Sequence, residues 1–144
     1  TVRDLKCIVR QNGKTETLHV QQFPQVEKYI TGTYDLEVLS LPRIYIDDVV
    51  IRQSHTTTIE IPLPGIAVIE KKANGYGGIY LEENNELKWV YNFRDNPEQR
   101  ETIVLQPGIY RAIYRSKFTS KSALTIEKSF KVESGISVNV KLYR

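Results

Sequence analysis

Three stretches of this chain end a hydrophobic run at a glycine and then restart as an alternating strand. They are residues 29–34 around Gly32, residues 58–66 around Gly65 and residues 102–110 around Gly108. The last two share one plan: a threonine, two apolar residues at i and i+2, a proline-glycine pair and a second apolar stretch. A proline-glycine pair between two alternating stretches is typical of a turn. The pattern therefore predicts a hairpin that is repeated within an all-β protein.

Counting from each glycine assigns the two faces of the strand that follows it. Successive strand residues point to opposite sides of a sheet, so positions +2, +4 and +6 share one face. These positions are mostly apolar, and we predict that they point inward. They are Tyr34, Leu36 and Val38 after the first glycine, Ala67, Ile69 and Lys71 after the second, and Tyr110, Ala112 and Tyr114 after the third.

The rest of the chain keeps the period-two alternation of strands, and no convincing helix is predicted. We therefore predict an all-β fold, an immunoglobulin-like or prealbumin-like β-sandwich. The glycine spacing favours two small tandem β units, 1–83 and 84–144, with a join near Glu83–Glu86, and one larger sandwich is the alternative. Predicted strands are 5–10, 15–21, 33–41, 43–46, 49–52, 57–61, 66–71, 78–81, 87–93, 101–105, 109–115, 124–132 and 137–143. Predicted turns between them include Asp47-Asp48, Pro64-Gly65, Asn84-Asn85, 95–97 and Pro107-Gly108.

Composition argues against several classes of function. The net charge of +3 is small, and lysine and arginine do not form the basic stripe that binds a phosphate backbone, so no nucleic-acid partner is expected. No apolar run approaches the ~20 residues of a membrane-spanning helix, so we expect no membrane insertion by this segment. The sequence has no methionine, even at position 1, and no signal-peptide pattern, so we expect a fragment of a longer protein or a processed form.

The residues that could support catalysis or metal binding are scattered. His19 and His55 are distant in sequence, and neither lies in a cluster with metal-ligand spacing. The carboxylate pairs Asp47-Asp48 and Glu82-Glu83 lie in predicted turns, where solvated side chains are usual. Cys7 alternates with apolar neighbours and is predicted to be a small buried hydrophobe. We therefore predict no catalytic residues, no metal site, no cofactor and no enzymatic activity.

Aromatic side chains are the remaining candidates for a binding surface. The chain has nine tyrosines and one tryptophan. Alternation places Trp89, Tyr91 and Phe93 on one strand face, which we favour as inward; an outward face could stack on sugars or partner chains. Tyr76 and Tyr80 flank Gly77-Gly78, where we predict a hairpin with exposed rings. The candidate ligand-binding residues are therefore Tyr76, Tyr80, Trp89 and Tyr91.

One part of the chain resembles the PEGA-type β domains. These show a short strand, an Asp-centred turn, a threonine-led strand, a Pro-Gly turn and a later Gly-Tyr. The matching residues are Ile44-Tyr45-Ile46-Asp47-Asp48-Val49, residues 58–65 and Gly75-Tyr76. A second stretch, Leu105-Gln106-Pro107-Gly108-Ile109-Tyr110, is similar to the Leu-x-Pro-Gly-x-Tyr turn of carboxypeptidase-regulatory and collagen-adhesin B-type sandwiches.

A wider resemblance covers nearly the whole chain. Residues 32–43, Trp89-Val90-Tyr91-Asn92 and residues 130–135 resemble the C-terminal β region of bacterial von Willebrand factor A (VWA) proteins. In those proteins an upstream domain carries the metal site, an Asp-x-Ser-x-Ser cluster, which this sequence lacks. The resemblance implies an accessory module of an envelope or secreted protein, located in the periplasm or at the cell surface.

Two functions follow from these patterns. The first is a non-catalytic β-sandwich module that mediates protein–protein or domain–domain contact, its partner being another protein or a neighbouring VWA-type domain of the same chain. The alternative is a carbohydrate-binding module that uses exposed tyrosine and tryptophan side chains to bind a glycan. Binding of a glycan that depends on those side chains would distinguish the second from the first.

Overall fold

The chain forms β-strands joined by turns and irregular segments. The structure is a computed structural model that describes residues 5–72, 75–94, 100–116 and 125–143. Within these residues there are eleven strands and no helix, which confirms the all-β prediction. The predicted turn at 95–97 and the first residue of the predicted strand 124–132 lie outside them. The strands are β1 (Lys6–Gln11), β2 (His19–Gln22), β3 (Gly32–Val38), β4 (Ile44–Ile51), β5 (Gly65–Glu70), β6 (Gly75–Glu83), β7 (Glu86–Asn92), β8 (Arg100–Leu105), β9 (Gly108–Ser116), β10 (Ile126–Val132) and β11 (Ser137–Lys141).

The chain divides into two compact units, which we call unit 1 (Thr1–Ile61) and unit 2 (Pro62–Arg144). This division comes before the predicted join near Glu83–Glu86, which falls instead in the β6–β7 hairpin. The two residues of that hairpin turn, Asn84 and Asn85, have φ angles of 55° and 62°. Positive φ at both central residues is the backbone of a two-residue type I′ turn. The asparagine pair therefore forms a turn, as predicted, but the turn lies inside unit 2.

Unit 1 contains one four-stranded antiparallel sheet, with strand order β2-β1-β3-β4. Its buried core is made of side chains from β1 and β3, and side chains of the irregular segments pack on it. Cys7 is buried there, as predicted, and burial raises the pKa of its thiol. The core residues are Cys7, Val9, Tyr34 and Val38, and Phe23, Tyr29 and Ile61 are among those packed on them.

A β-bulge interrupts β4 where a turn was predicted. One residue of β3, Asp35, lies opposite two residues of β4, Asp47 and Asp48. Asp48 has a φ of 60°, a left-handed conformation that aspartate tolerates better than most residues. Its N–H donates to the Asp35 carboxylate over 3.1 Å. The predicted turn is wrong because a bulge satisfies the same local preference inside one longer strand.

Unit 2 packs a four-stranded sheet against a three-stranded sheet. The strand orders are β10-β9-β6-β7 and β11-β5-β8, and among the described strands β11 and β5 are the parallel pair. Both sheets contribute to one core, in which Ile69 and Leu105 pack with Ile79 and Tyr110. The β-sandwich prediction is confirmed. In immunoglobulin domains the first two strands share a sheet, whereas β5 and β6 lie in different sheets, so the order is not the immunoglobulin one.

The three glycines of the repeated sequence pattern each begin a strand: Gly32 begins β3, Gly65 begins β5 and Gly108 begins β9. All nine residues predicted to point inward are buried or partly buried, which confirms that prediction. The predicted hairpins are wrong. Residues 52–64 before Gly65 form no strand, and β8 and β9 on either side of Pro107 belong to different sheets. A proline-glycine pair turns the chain, but it does not decide which strand the chain then joins.

Two of the strands that begin at these glycines, β3 and β9, each contain a tyrosine that bonds back to the upstream backbone. The Tyr34 hydroxyl donates to the Ile30 carbonyl, and the Tyr110 hydroxyl donates to the Gln106 carbonyl, four residues upstream in both cases. The arrangement resembles the tyrosine corner of β-sandwiches, in which a tyrosine hydroxyl bonds back to the upstream backbone. The third stretch has Ala67 at this position and lacks the contact. The repeated sequence pattern therefore corresponds, in β3 and β9, to a tyrosine hydrogen bond at the start of the strand.

Candidate functional site

The outer face of the four-stranded sheet of unit 2 gathers exposed aromatic side chains. Its two central strands, β6 and β9, pair without a register shift. Alternate residues of each strand therefore share this outer face. We call the surface formed by these residues and Trp89 of β7 the aromatic face. It carries Tyr76, Gly78, Tyr80 and Glu82 on β6, and Arg115, Ile113, Arg111 and Ile109 on β9.

A second β-bulge decides where the side chains of β7 point. Trp89 pairs with Tyr80, whereas Tyr91 pairs with the residue before Tyr80, so Val90 has no partner on β6. The extra residue shifts the alternation. Trp89 is 61% exposed, while Val90 and Phe93 are buried. The favoured inward prediction for this strand is therefore wrong for Trp89, because a bulge leaves no trace in the period-two pattern.

Trp89 is held in a defined orientation. Its indole Nε1–H donates to Asn92 Oδ1 over 2.7 Å, within the normal range for such a bond. A hydrogen bond from the ring restricts its rotation and leaves most of its surface exposed. A side chain that is already ordered loses less conformational entropy when it binds. Trp89 is therefore preorganised for contact.

Polar side chains lie next to these rings. Arg111 Nε donates to Glu82 Oε1 over 2.7 Å, and Ser129 Oγ donates to the same oxygen over 3.3 Å. Arg111 is the strand partner of both Tyr80 and Ser129, and Tyr80 is the partner of Trp89. These four residues form a row across all four strands, which we call the cross-strand row. Glu82 was predicted to be a solvated turn residue. It lies instead within β6, paired with a guanidinium.

A glycine separates the two tyrosines of β6 on the aromatic face. Tyr76, which is 65% exposed, and the partly buried Tyr80 lie on either side of Gly78. A Cβ on Gly78 would lie 2.3 Å from the Tyr91 carbonyl oxygen, so the close approach of β7 requires glycine there. The strand partner of Gly78 on β9 is Ile113. Ile113 therefore lies beside a position that backbone and side-chain atoms of β7 cover. The predicted hairpin at Gly77-Gly78 is wrong, since both residues lie within β6.

Tyr91, the fourth predicted ligand-binding residue, does not belong to the aromatic face. Its side chain packs on the core of unit 2, and its hydroxyl donates to Glu101 Oε1 over 2.7 Å. Lys71 Nζ donates to the other carboxylate oxygen over 2.7 Å. Burial, followed by the Glu101 carboxylate, raises the pKa of Tyr91. The structure thus brings together three of the four predicted residues and gives Tyr91 a place in a buried polar network.

The described part of the chain holds no group of three or more His, Cys, Asp or Glu side chains that could bind a metal ion. The Nε2 atom of His19 lies 3.9 Å from the Glu27 Oε1 atom. The Nδ1 atom of His55 lies 2.8 Å from the Gln53 carbonyl oxygen. Among the same residues, no helix has the length and apolar character to cross a membrane.

Unit 1 contains a cleft of about 440 Å³ that the sequence did not predict. His19, Tyr29 and Tyr34 lie along it, with ring centroids 6.0 Å apart for the first pair and 5.5 Å for the second. The Tyr29 hydroxyl donates to Gln21 Oε1 over 2.7 Å, and burial raises the pKa of Tyr29 to about 12. These rings contact one another and bond within the unit. We therefore assign them to the packing of unit 1.

Fold and site together define an all-β protein of two units, one of them a β-sandwich with an exposed aromatic face. No protein-family model, no curated protein and no solved structure matches the chain.

Proposed function

We propose that this protein is a non-catalytic interaction module, and that the aromatic face binds a protein partner or a neighbouring domain. The supporting observation is the cross-strand row that contains Trp89, Tyr80 and Arg111. A few residues carry most of the binding energy at a protein interface, and tryptophan, tyrosine and arginine are enriched among them. Leu87, the strand partner of Glu82, and Ile109 are also exposed and add aliphatic surface beside this row. Aromatic side chains and arginine are enriched at protein interfaces relative to the rest of a protein surface.

Two edge strands carry features that oppose binding by strand addition. β4 and β7 are both edge strands, and each contains a β-bulge. Bulges interrupt the row of free backbone groups on which an added strand would pair. Lys88, an exposed residue of β7, adds a charge of the kind that blunts sheet edges. Partner binding by strand addition at these edges is therefore disfavoured.

A photo-crosslinking experiment tests the proposal. A benzophenone amino acid is placed at position 89 and, as a matched control, at position 45, because Tyr45 is another exposed aromatic residue, on unit 1. After irradiation in cells that express the native gene, we expect protein adducts from position 89 and not from position 45. Equal labelling from both positions, or labelling from neither, would contradict the assignment of the aromatic face as the binding surface.

A carbohydrate ligand is the second candidate function. It is favoured by the fixed orientation of Trp89 beside hydrogen-bonding groups of Glu82 and Arg111. A sugar ring has an apolar C–H face that stacks on aromatic rings and hydroxyls that bond to such groups. A glycan array with the unmodified protein and the Trp89→Ala variant tests it. Binding that disappears in the variant supports a glycan ligand, and an array without binding removes this candidate.

The sequence patterns also support a proposal about the parent protein. The PEGA-like and VWA-associated residue patterns favour an accessory module of a bacterial envelope or secreted protein. The complete reading frame tests this, since an upstream von Willebrand factor A domain is expected. Recovery of the full-length protein exclusively from the cytosolic fraction would contradict an extracytoplasmic location.

A further inference from the structure

We infer that the aromatic face binds a second copy of itself, so that unit 2 forms a twofold-symmetric dimer. The inference rests on the interaction module proposed above and names its partner. It comes from the register of the two central strands, in which each outer-face residue of β6 has an outer-face partner on β9. Twofold dimers require a surface that is complementary to itself, and these strand pairs provide it.

The symmetry operation fixes which residues meet. A twofold axis that runs along the strands, between β6 and β9, places β6 of one copy over β9 of the other. Each β6 residue then lies over the residue that is already its strand partner within its own sheet. Sheets that pack face to face stay within about 30° of alignment, so the correspondence is closest near the axis.

Three strand pairs lie near this axis, and two of them are complementary. Tyr80 would meet Arg111 of the second copy, and Tyr76 would meet Arg115. A guanidinium over a tyrosine ring is a favourable cation–π contact. In the third pair, Ile113 of one copy lies over Gly78 of the other.

The outer strands follow the same operation. β7 of one copy lies over β10 of the other, so the large Trp89 meets the small Ser129, its counterpart in the cross-strand row. Alternation of large and small side chains across facing positions is how packed layers interdigitate. The bulge that turns Trp89 outward therefore also directs it to a position where the opposing side chain is short.

The size of the face predicts a weak dimer. Four strands about 4.8 Å apart, with about seven residues each at ~3.3 Å per residue, present roughly 450 Å² per copy in projection. Both copies together reach about 900 Å², close to the ~1,000 Å² that a specific protein interface needs. We therefore expect a dissociation constant in the micromolar to millimolar range and a monomer in dilute solution.

Sedimentation equilibrium of the full chain from about 5 µM to 1 mM tests the inference. We expect a concentration-dependent dimer, at least fivefold weaker in the Trp89→Ala variant and unchanged in the matched Tyr45→Ala control. Far-ultraviolet circular dichroism establishes that each variant is folded. A monomer at all concentrations, or equal weakening by the control, overturns the dimer.

A mixing experiment tests the predicted symmetry. The Tyr76→Ala and Arg115→Ala variants each lose both copies of one contact as homodimers. A heterodimer of the two keeps one intact Tyr76–Arg115 pair, so the mixture should associate more tightly than either variant alone. Association no tighter than that of the separate variants overturns this geometry.

The outcomes separate this inference from the proposed function. A monomeric protein whose position 89 crosslinks to a different protein overturns the dimer and supports the interaction module. Self-crosslinking at position 89 supports both. A monomer without adducts specific to position 89 overturns both.

Discussion

The ammonium group of Lys71 and the carboxylate of Glu101 lie 2.7 Å apart inside unit 2, and their side chains are only 1% and 4% exposed. The Tyr91 hydroxyl and the Arg94 backbone N–H also donate to this carboxylate. Lys71 Nζ donates in addition to the Arg94 carbonyl over 3.2 Å. The pair therefore joins the end of β5, strand β8 and the end of β7, the strand that carries Trp89.

Removing one member of this pair should destabilise unit 2 strongly. Lys71→Met leaves a buried carboxylate without its cation, and we expect a loss of about 3–5 kcal/mol in the free energy of unfolding. Urea denaturation measures it. Adding Glu101→Gln removes the uncompensated charge and should restore part of the loss. As a control, Arg100→Ala breaks a pair with Glu70 in which the arginine is 68% exposed, and it should cost less than about 1 kcal/mol. Equal losses from the buried and exposed pairs would refute this assignment.

Acid should weaken the same network. Burial alone would raise the pKa of Glu101, but hydrogen bonds from Lys71, Tyr91 and Arg94 lower it below its ordinary value of 4.5. Because the folded pKa is the lower one, the stabilisation is complete above pH 4.5 and is lost as the pH falls through the folded value. Urea unfolding from pH 7 to pH 3 should show this loss, with a shallower slope in Glu101→Gln. Hydrogen bonds from Arg10 and Arg43 also lower the pKa of Glu37 in unit 1. This group is the same in both proteins, so it contributes equally to both pH profiles. Identical slopes in both proteins would contradict the prediction.

Two glycines from the repeated sequence pattern should respond differently to alanine. A Cβ on Gly65 would lie 2.3 Å from the Glu133 carbonyl oxygen and 2.6 Å from Val132, so the chain must shift. We expect Gly65→Ala to cost about 1–3 kcal/mol. The same atom on Gly32 would lie no closer than 3.8 Å to Tyr34. Gly32→Ala should therefore stay within about 0.5 kcal/mol of the unmodified protein. Thermal melts compare the two, and a larger loss at Gly32 would be inconsistent with the structure.

The tyrosine contacts predict a cost for a single hydroxyl. Tyr110→Phe keeps the ring in the core but leaves the Gln106 carbonyl without its donor. An unpaired buried acceptor costs about 1–3 kcal/mol, so the urea midpoint should fall accordingly. Tyr45→Phe is the matched control, because Tyr45 is 66% exposed and its hydroxyl reaches water. A change at Tyr45 as large as that at Tyr110 would argue against the buried bond.

Alternation was sufficient to predict which side of a strand is buried, because that choice depends only on side-chain direction within one strand. It predicted even the burial of Lys71, whose partner Glu101 is 30 residues away and could not be inferred. The same pattern failed at Asp48 and Val90, where one extra residue breaks the period. Strand pairing could not be predicted either. A Pro107-Gly108 turn is compatible both with a hairpin and with a connection to another sheet.

The candidate site shows the same limit. Tyr76 and Tyr80 were expected to be exposed from their glycine neighbours, and they are exposed or partly exposed. Their strand partners, Arg115 and Arg111, were not candidates, because cross-strand register depends on pairing between distant segments. The bulge that exposes Trp89 is likewise a property of two paired strands.

The parallel pair in unit 2 determines how this unit carries tension. β5 and β11 are paired over five positions, from Ile66 and Ser137 to Glu70 and Lys141. Because the two strands run in the same direction, the chain enters β5 at one end of the sheet and leaves β11 at the other. A pull on the two ends of unit 2 therefore slides the strands past each other and loads all five positions at once. We therefore expect unit 2 to unfold under tension only at a high force. In force spectroscopy with the pull applied at residues 64 and 142, its unfolding should appear as a single high-force peak.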